Sequence, residues 1–149
     1  MTRTFLALAR ALLALALAAT PLAAQEIKFG DNSGAYPNDG ECDDRRFRGA
    51  GMATVLSWDS VGRDATDCQQ AMKSGRLDLW RLEEARAATQ CARIAWGDDS
   101  SDYSSDGECD DIRFEGFGMA SYLDDAEEGR DATDCRRLCD YGMIYLRDY

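Results

Sequence analysis

Asp39-Gly40-Glu41-Cys42-Asp43-Asp44, followed by Arg46, Phe47, Gly49, Gly51, Met52 and Ala53, and then Gly62-Arg63-Asp64-Ala65-Thr66-Asp67-Cys68, are the stretches around which the chain is organised. Both return 67 residues later without a gap. The first becomes Asp106-Gly107-Glu108-Cys109-Asp110-Asp111 with Arg113 and Phe114, and the second Gly129-Arg130-Asp131-Ala132-Thr133-Asp134-Cys135. Residues 29–80 and 96–147 are identical at 26 of 52 positions. A duplication this regular sets the architecture ahead of any local propensity. It predicts a small, disulfide-rich α+β fold of two tandem homologous repeats. Each repeat is expected to hold a short strand, a long acidic loop, a short helix and a closing strand.

Working outward, residues 1–24 have the layout of a secretory signal peptide. Arg3 lies near the start, residues 5–19 are almost wholly Ala and Leu, and small residues precede Gln25. Arg10 interrupts the apolar run, which argues against a membrane anchor. Repeat 1 then takes 25–80, a linker helix 81–93, and repeat 2 takes 94–149. The linker has Leu82, Ala85, Ala88 and Ala92 at helical spacing. The protein is expected to be exported, to the periplasm or beyond the cell, and to have no membrane attachment once the signal is cut.

Within a repeat, residues 27–29 and 94–96 alternate and end at Gly, which suits a brief strand. Residues 31–44 and 98–111 are mostly Asp, Asn, Ser, Gly and Pro and read as loop. Residues 52–58 and 119–123 suit a helical turn or two. Asp64 and Asp131 stand as N-caps of helices that stop at Gly75 and Gly142. Leu77 and Leu79, with Ile144 and Leu146, follow as closing strands expected to pair with the opening ones. Phe47, Phe114, Met52 and Met119 are repeated apolar positions and read as core.

The chain has six cysteines and no histidine. An even number of cysteines in a small exported protein reads as a disulfide framework. Cys42 and Cys68 have counterparts in Cys109 and Cys135, so each repeat most simply closes its own bond. Cys91 and Cys139 have no counterparts and are left for each other. Closing a loop of this size contributes roughly 3–4 kcal/mol in the chain-entropy account. A thiolate metal site is disfavoured, since no C-x-x-C pair exists.

The formal net charge is −11, and cleavage after Ala24 would remove Arg3 and Arg10, leaving 15 basic against 28 acidic residues, or −13. That balance argues against nucleic acid and anionic lipid as partners and favours a cationic protein partner. It also weakens the compact state by self-repulsion unless cations neutralise it. Asp43 follows Cys42 directly, Asp67 precedes Cys68 directly, and Asp64 lies one helical turn earlier. A bond between the two cysteines would draw these carboxylates together, an arrangement that makes physical sense with a cation present. Calcium takes six to eight oxygens from carboxylates, carbonyls and water. The candidate ligands are Asp39, Asp43, Asp44, Asp64 and Asp67 in repeat 1, and Asp106, Asp110, Asp111, Asp131 and Asp134 in repeat 2, for about one Ca²⁺ per repeat. Arg46, Arg113, Arg63 and Arg130 are expected to pair with these acids. An EF-hand loop beginning at Asp102 is disfavoured, because Arg113 stands where the bidentate Glu is required.

These residues resemble known families. Asp39-Gly40-Glu41-Cys42-Asp43 with Asp64-Ala65-Thr66-Asp67-Cys68 is similar to the Asn-Gly-x-Cys-Asp … Asp-Gly-x-Asp-Cys frame of the Notch-type extracellular repeat. The resemblance implies calcium ligation by Asp43, Asp64, Asp67, Asp110, Asp131 and Asp134. LDL-receptor class A modules likewise set Asp and Glu beside Cys around calcium. Nearly the whole of 25–149 also resembles an acidic repeat of exported bacterial proteins, Phe-Gly-Asp-Asp-Ser … Asp-Gly-Glu-Cys-Asp-Asp-x-Arg-Phe … Arg-Asp-Ala-Thr-Asp-Cys, which sometimes accompanies caspase-like or trypsin-like protease domains.

Without histidine, the common Ser-His and Cys-His nucleophiles are absent, and no catalytic activity is expected. The function expected from the sequence is an exported, calcium-binding, disulfide-stabilised interaction module. Two alternatives stand beside it: an accessory or inhibitory partner of an exported protease, and an envelope protein bridged by calcium.

Overall fold

Two cysteines 26 residues apart shape each half of the chain. Disulfides join Cys42 to Cys68 and Cys109 to Cys135, each with Cα atoms 4.7 Å apart, and a third joins Cys91 to Cys139. The computed structural model describes residues 26–149, so the expected signal peptide lies outside the described residues. Over these residues the fold is a small mixed α/β arrangement of eight strands and three helices. In chain order these are β1 (Cys42–Asp44), β2 (Phe47–Arg48), β3 (Met52–Ser57), α1 (Ala65–Lys73), β4 (Asp78–Leu79), α2 (Leu82–Ala88), β5 (Cys109–Asp111), β6 (Phe114–Gly116), β7 (Met119–Asp124), α3 (Ala132–Asp140) and β8 (Ile144–Leu146).

α1 and α3 form where the sequence reading puts them. Each is too short to hold itself and depends on packing; Cys68 and Ala71 of α1, and Cys135, Leu138 and Cys139 of α3, supply the buried stripe. Each stops at a glycine with positive φ, Gly75 (+74°) and Gly142 (+69°). Arg76 N–H then reaches Ala71 O at 2.9 Å and Gly75 N–H reaches Met72 O at 3.0 Å, the paired bonds of a Schellman cap.

Three local readings give way to tertiary partners. Residues 52–57 and 119–124 are strands, not helical turns. A short run of mixed apolar and polar residues is ambiguous alone, and here β3 and β7 gain ladders from distant segments. Residues 27–29 and 94–96 alternate outward and inward but join no sheet. They are held by stacking instead, Phe29 on Phe47 at 5.4 Å and Trp96 on Phe114 at 5.3 Å. The closing strands pair with the strands after each cage: β4 lies antiparallel to β2, and β8 antiparallel to β6. The linker is helical only over α2, followed by a single 3-10 turn at Cys91–Arg93 that carries the third disulfide.

One four-stranded sheet, in the order β1-β3-β7-β5, runs through both halves. β1 lies parallel to β3 and β5 parallel to β7, while β3 and β7 meet antiparallel. Leu56 faces Leu123 across that central pair. These two leucines are counterparts in the duplication, and each is the other's partner in the ladder. Both are fully buried beside Phe114, Met119 and Ile144, and a smaller core of Cys42, Phe47, Cys68, Ala71 and Leu77 fills the first half.

The seam between the halves is polar where the repeat departs from itself. Arg45, Glu115 and Arg147 occupy positions whose counterparts are Ile112, Arg48 and Trp80. Arg45 is 1 % exposed and donates to both Glu115 oxygens at 3.0 and 3.2 Å and to Ala120 O at 3.1 Å, with its guanidinium 4.1 Å from the Trp58 ring centre. Arg147 donates to Glu115, to Phe114 O at 3.2 Å, and to Arg45 O and Phe47 O at 3.1 Å each. Burial pulls the Arg147 pKa down to about 10. Buried charges survive only when paired and hydrogen-bonded, and here one carboxylate answers two guanidiniums.

Candidate metal centre

The carboxylates gather where β1 meets the start of α1. The Cys42–Cys68 bond holds those elements together, so Asp43 on β1 faces Asp64, just before α1, and Asp67 in its first turn. Asp43 N–H donates to Asp64 Oδ2 at 2.9 Å, and Asp39 N–H to Asp67 Oδ2 at 3.0 Å. The second half repeats the first bond, Asp110 N–H to Asp131 Oδ2 at 3.0 Å, and shifts the second by one residue, with Gly107 N–H in place of Asp106 N–H donating to Asp134 Oδ2 at 2.9 Å. Asp43, Asp64 and Asp67, with Asp110, Asp131 and Asp134, are all buried. Asp39 and Asp106 stay exposed at the rim, where their Oδ1 atoms accept from Glu41 N–H and Glu108 N–H.

Four aspartate oxygens in these clusters have no partner among the described residues. Asp43 Oδ2, Asp64 Oδ1, Asp110 Oδ2 and Asp131 Oδ1 are buried and accept no hydrogen bond. A buried acceptor with nothing to accept from costs about 1–3 kcal/mol, and more when charged. Such atoms are rare enough in folded proteins to need a cause. Burial, then the neighbouring Asp39 and Asp64 charges, push the Asp43 carboxyl up to about 7. Burial, then Asp106 and Asp131, do the same to Asp110, also to about 7. Asp64 and Asp131 are raised to about 6, again chiefly by burial. Among the described residues no arginine or lysine forms an ion pair with Asp43, Asp64, Asp110 or Asp131. The groups are therefore short of positive charge and of donors at the same points.

Two groupings could hold a metal: Cys42, Asp64 and Cys68, and Cys109, Asp131 and Cys135, each with candidate ligand atoms within 4.8 Å of one another. The sulfurs in each are bonded to one another, so neither is a thiolate, and charge for an ion has to come from the carboxylates.

Several candidate residues do other work. Asp44 and Asp111 are not free to join the cage. Asp44 Oδ1 accepts from Arg46 N–H and Nε at 3.0 Å each, and Oδ2 from Arg46 Nη2 at 2.5 Å and Gly62 N–H at 2.7 Å. Asp111 binds Arg113 and Gly129 in the same way. These two aspartates close the loop against β1 and β5, using Arg46 and Arg113 as counter-ions. Arg63 and Arg130 do not pair with the acids; Arg130 instead donates to Ser100 Oγ and Ser100 O at 3.0 Å each.

Asp64 and Asp131 sit at the N-cap positions but do not cap their helices with their side chains. Their carboxylates turn toward Asp43 and Asp110. The helix amides are met from the acidic loop instead: Ala65 N–H by Asp31 O at 2.8 Å and Thr66 N–H by Asn32 Oδ1 at 2.9 Å. Asp98 O and Asp99 Oδ1 act likewise on Ala132 and Thr133. Sequence reasoning missed these four; the signal was an Asp-Asx pair at the same place in both halves. The approach of loop to helix also explains the preceding glycine. A Cβ on Gly97, at φ +82°, would stand 1.9 Å from Gly129 O. Glu127 and Arg137, also missed, join the second cluster alone.

Compared with protein-family models, curated proteins and solved structures, the chain shows no match. The geometry of the two carboxylate clusters is thus the basis on which function can be argued.

Proposed function

We propose that the protein is an exported, calcium-binding, disulfide-stabilised interaction module without catalytic activity. One observation carries the reading: among the described residues each half holds, at equivalent positions, the same two buried carboxylate oxygens with no donor, beside further buried aspartates where a disulfide pins strand to helix. A hard divalent cation supplies what these atoms lack. Asp43, Asp64 and Asp67 would hold it in the first half, with Asp39 at the rim; Asp110 and Asp131, with Asp134 and Asp106 nearby, would do so in the second. An all-oxygen donor set suits Ca²⁺ better than zinc or copper, which favour imidazole and thiolate.

The cation's role here is structural. It cancels repulsion within each cluster and locks the acidic loop to the helix, leaving a rigid surface of strongly negative charge. The fitting partner is a cationic protein surface. Three disulfides suit an oxidising compartment, and no helix among the described residues is long and apolar enough to cross a membrane.

The test is thermal unfolding of the oxidised protein in EDTA and in millimolar Ca²⁺. Each site filled at about 100 times its dissociation constant adds about 2.7 kcal/mol to stability. An unchanged melting temperature, together with no heat on titrating Ca²⁺, would refute the reading.

A further inference from the structure

The two clusters differ where the repeat departs from itself. In the first, Asp67 Oδ2 accepts from Asp39 N–H, while Oδ1 takes no hydrogen bond or ion pair among the described residues. In the second, both Asp134 oxygens are engaged: Oδ2 by Gly107 N–H at 2.9 Å, Oδ1 by Arg137 Nη2 at 2.7 Å. The counterpart of Arg137 is Gln70, which carries no charge. The second cluster also has a carboxylate the first lacks. Glu127, on the 3-10 turn Asp125–Glu127 after β7, stands where the first half has Ser60. Its Oε2 is buried and without a partner among the described residues. Glu127 and Asp110 line the same cavity, of about 350 Å³, with Asp106 and Glu108.

We infer that the second cation centre is built from Asp110, Asp131 and Glu127, with Glu127 in the place that Asp67 fills in the first. Arg137 holds Asp134 out of coordination, and Asp134 acts there as a positioning residue for the Gly107 loop. The inference rests on the calcium reading above and goes beyond it: the two centres carry different ligand sets, exchanged by two substitutions, Gln70 for Arg137 and Ser60 for Glu127. The charge is conserved through the exchange, since Glu127 adds one negative charge and Arg137 cancels one. Each centre therefore still presents three uncompensated carboxylates to a divalent ion.

The experiment is calorimetric titration of CaCl2 into the oxidised protein and four variants, with the EDTA form of each checked for its melting transition. The wild type is expected to take up two ions. Glu127→Gln should weaken one site by about tenfold or more, at least the loss seen when a residue that only orients a ligand is removed, and leave the other unchanged. Asp67→Asn should do the same to the first site. Asp134→Asn should change neither by more than about threefold, and Arg137→Gln should tighten the second by about threefold, the worth of a half-exposed ion pair. Glu127→Ser, which installs the residue of the first half, serves if the glutamine variant does not fold. Two unchanged sites in the Glu127 variants, or an Asp134→Asn loss equal to that of Asp67→Asn, would overturn the inference and leave the calcium reading standing. No uptake by the wild type would overturn both.

Discussion

Glu115→Gln tests the seam on which the relation of the two halves depends. The substitution keeps the shape of the side chain and removes the one carboxylate that answers Arg45 and Arg147. Arg45 would keep its bonds to Ala120 O and Ser121 O, and Arg147 its bonds to Phe114, Arg45 and Phe47 carbonyls. Both guanidiniums would remain buried, now with like charges facing and no anion between them. Removing one partner from a buried ionic group costs about 3–5 kcal/mol. For a domain of this size that corresponds to about 10–20 °C in melting temperature. Urea unfolding should show the midpoint falling at constant slope, which marks lost stability without a change in surface exposed. The loss should persist at 0.5 M salt, because ions screen an exposed pair but reach a buried one poorly. Arg48→Ala is the control. It removes the counterpart of Glu115, a half-buried arginine lying over Tyr149, and should cost about 1 kcal/mol. A Glu115→Gln loss below about 1 kcal/mol, or one abolished by salt, would show that the seam is solvated and that the shared sheet alone joins the halves.

Three further outcomes are expected. In EDTA, stability should fall as pH rises. The folded carboxyls of Asp43 and Asp110 hold protons up to about 7, and those of Asp64 and Asp131 up to about 6, against 3.8 ordinarily. Their contribution is therefore complete below about pH 4 and is lost as pH rises through 6–7; urea midpoints between pH 4 and 8 measure it, and saturating Ca²⁺ should reverse the trend. Asp44→Asn should cost about 1–3 kcal/mol through its bonds to Arg46 and Gly62, yet leave Ca²⁺ stoichiometry unchanged by calorimetry; loss of one bound ion would return Asp44 to the ligand set. Gly97→Ala should lower stability by at least about 1–3 kcal/mol in thermal unfolding, since its Cβ meets Gly129 O and its φ is positive.

The sequence by itself determined what depends on spacing. A duplication at constant offset implies equivalent structure at equivalent positions, so acids beside paired cysteines had to meet wherever those cysteines bonded. The helices over α1 and α3 were equally readable, because an acidic first turn and a terminal glycine are local signals. Tertiary structure decided what depends on partners. Residues 52–57 carry a short, partly apolar run that serves helix or strand alike, and only the ladders to β1 and β7 make them β3. Asp43 and Asp44 are adjacent and chemically identical, yet strand alternation turns one toward Asp64 and the other toward Arg46 and Gly62. The same holds for Asp67 and Asp134, identical in the duplicated motif and separated in role by one arginine a helical turn away. Arg45, Glu115 and Arg147 interrupt the repeat and so look like drift; they tie the halves together beside the shared sheet. Hydrogen-bond partners are chosen by three-dimensional neighbours, and a repeat compared only with itself cannot show which of its departures face each other.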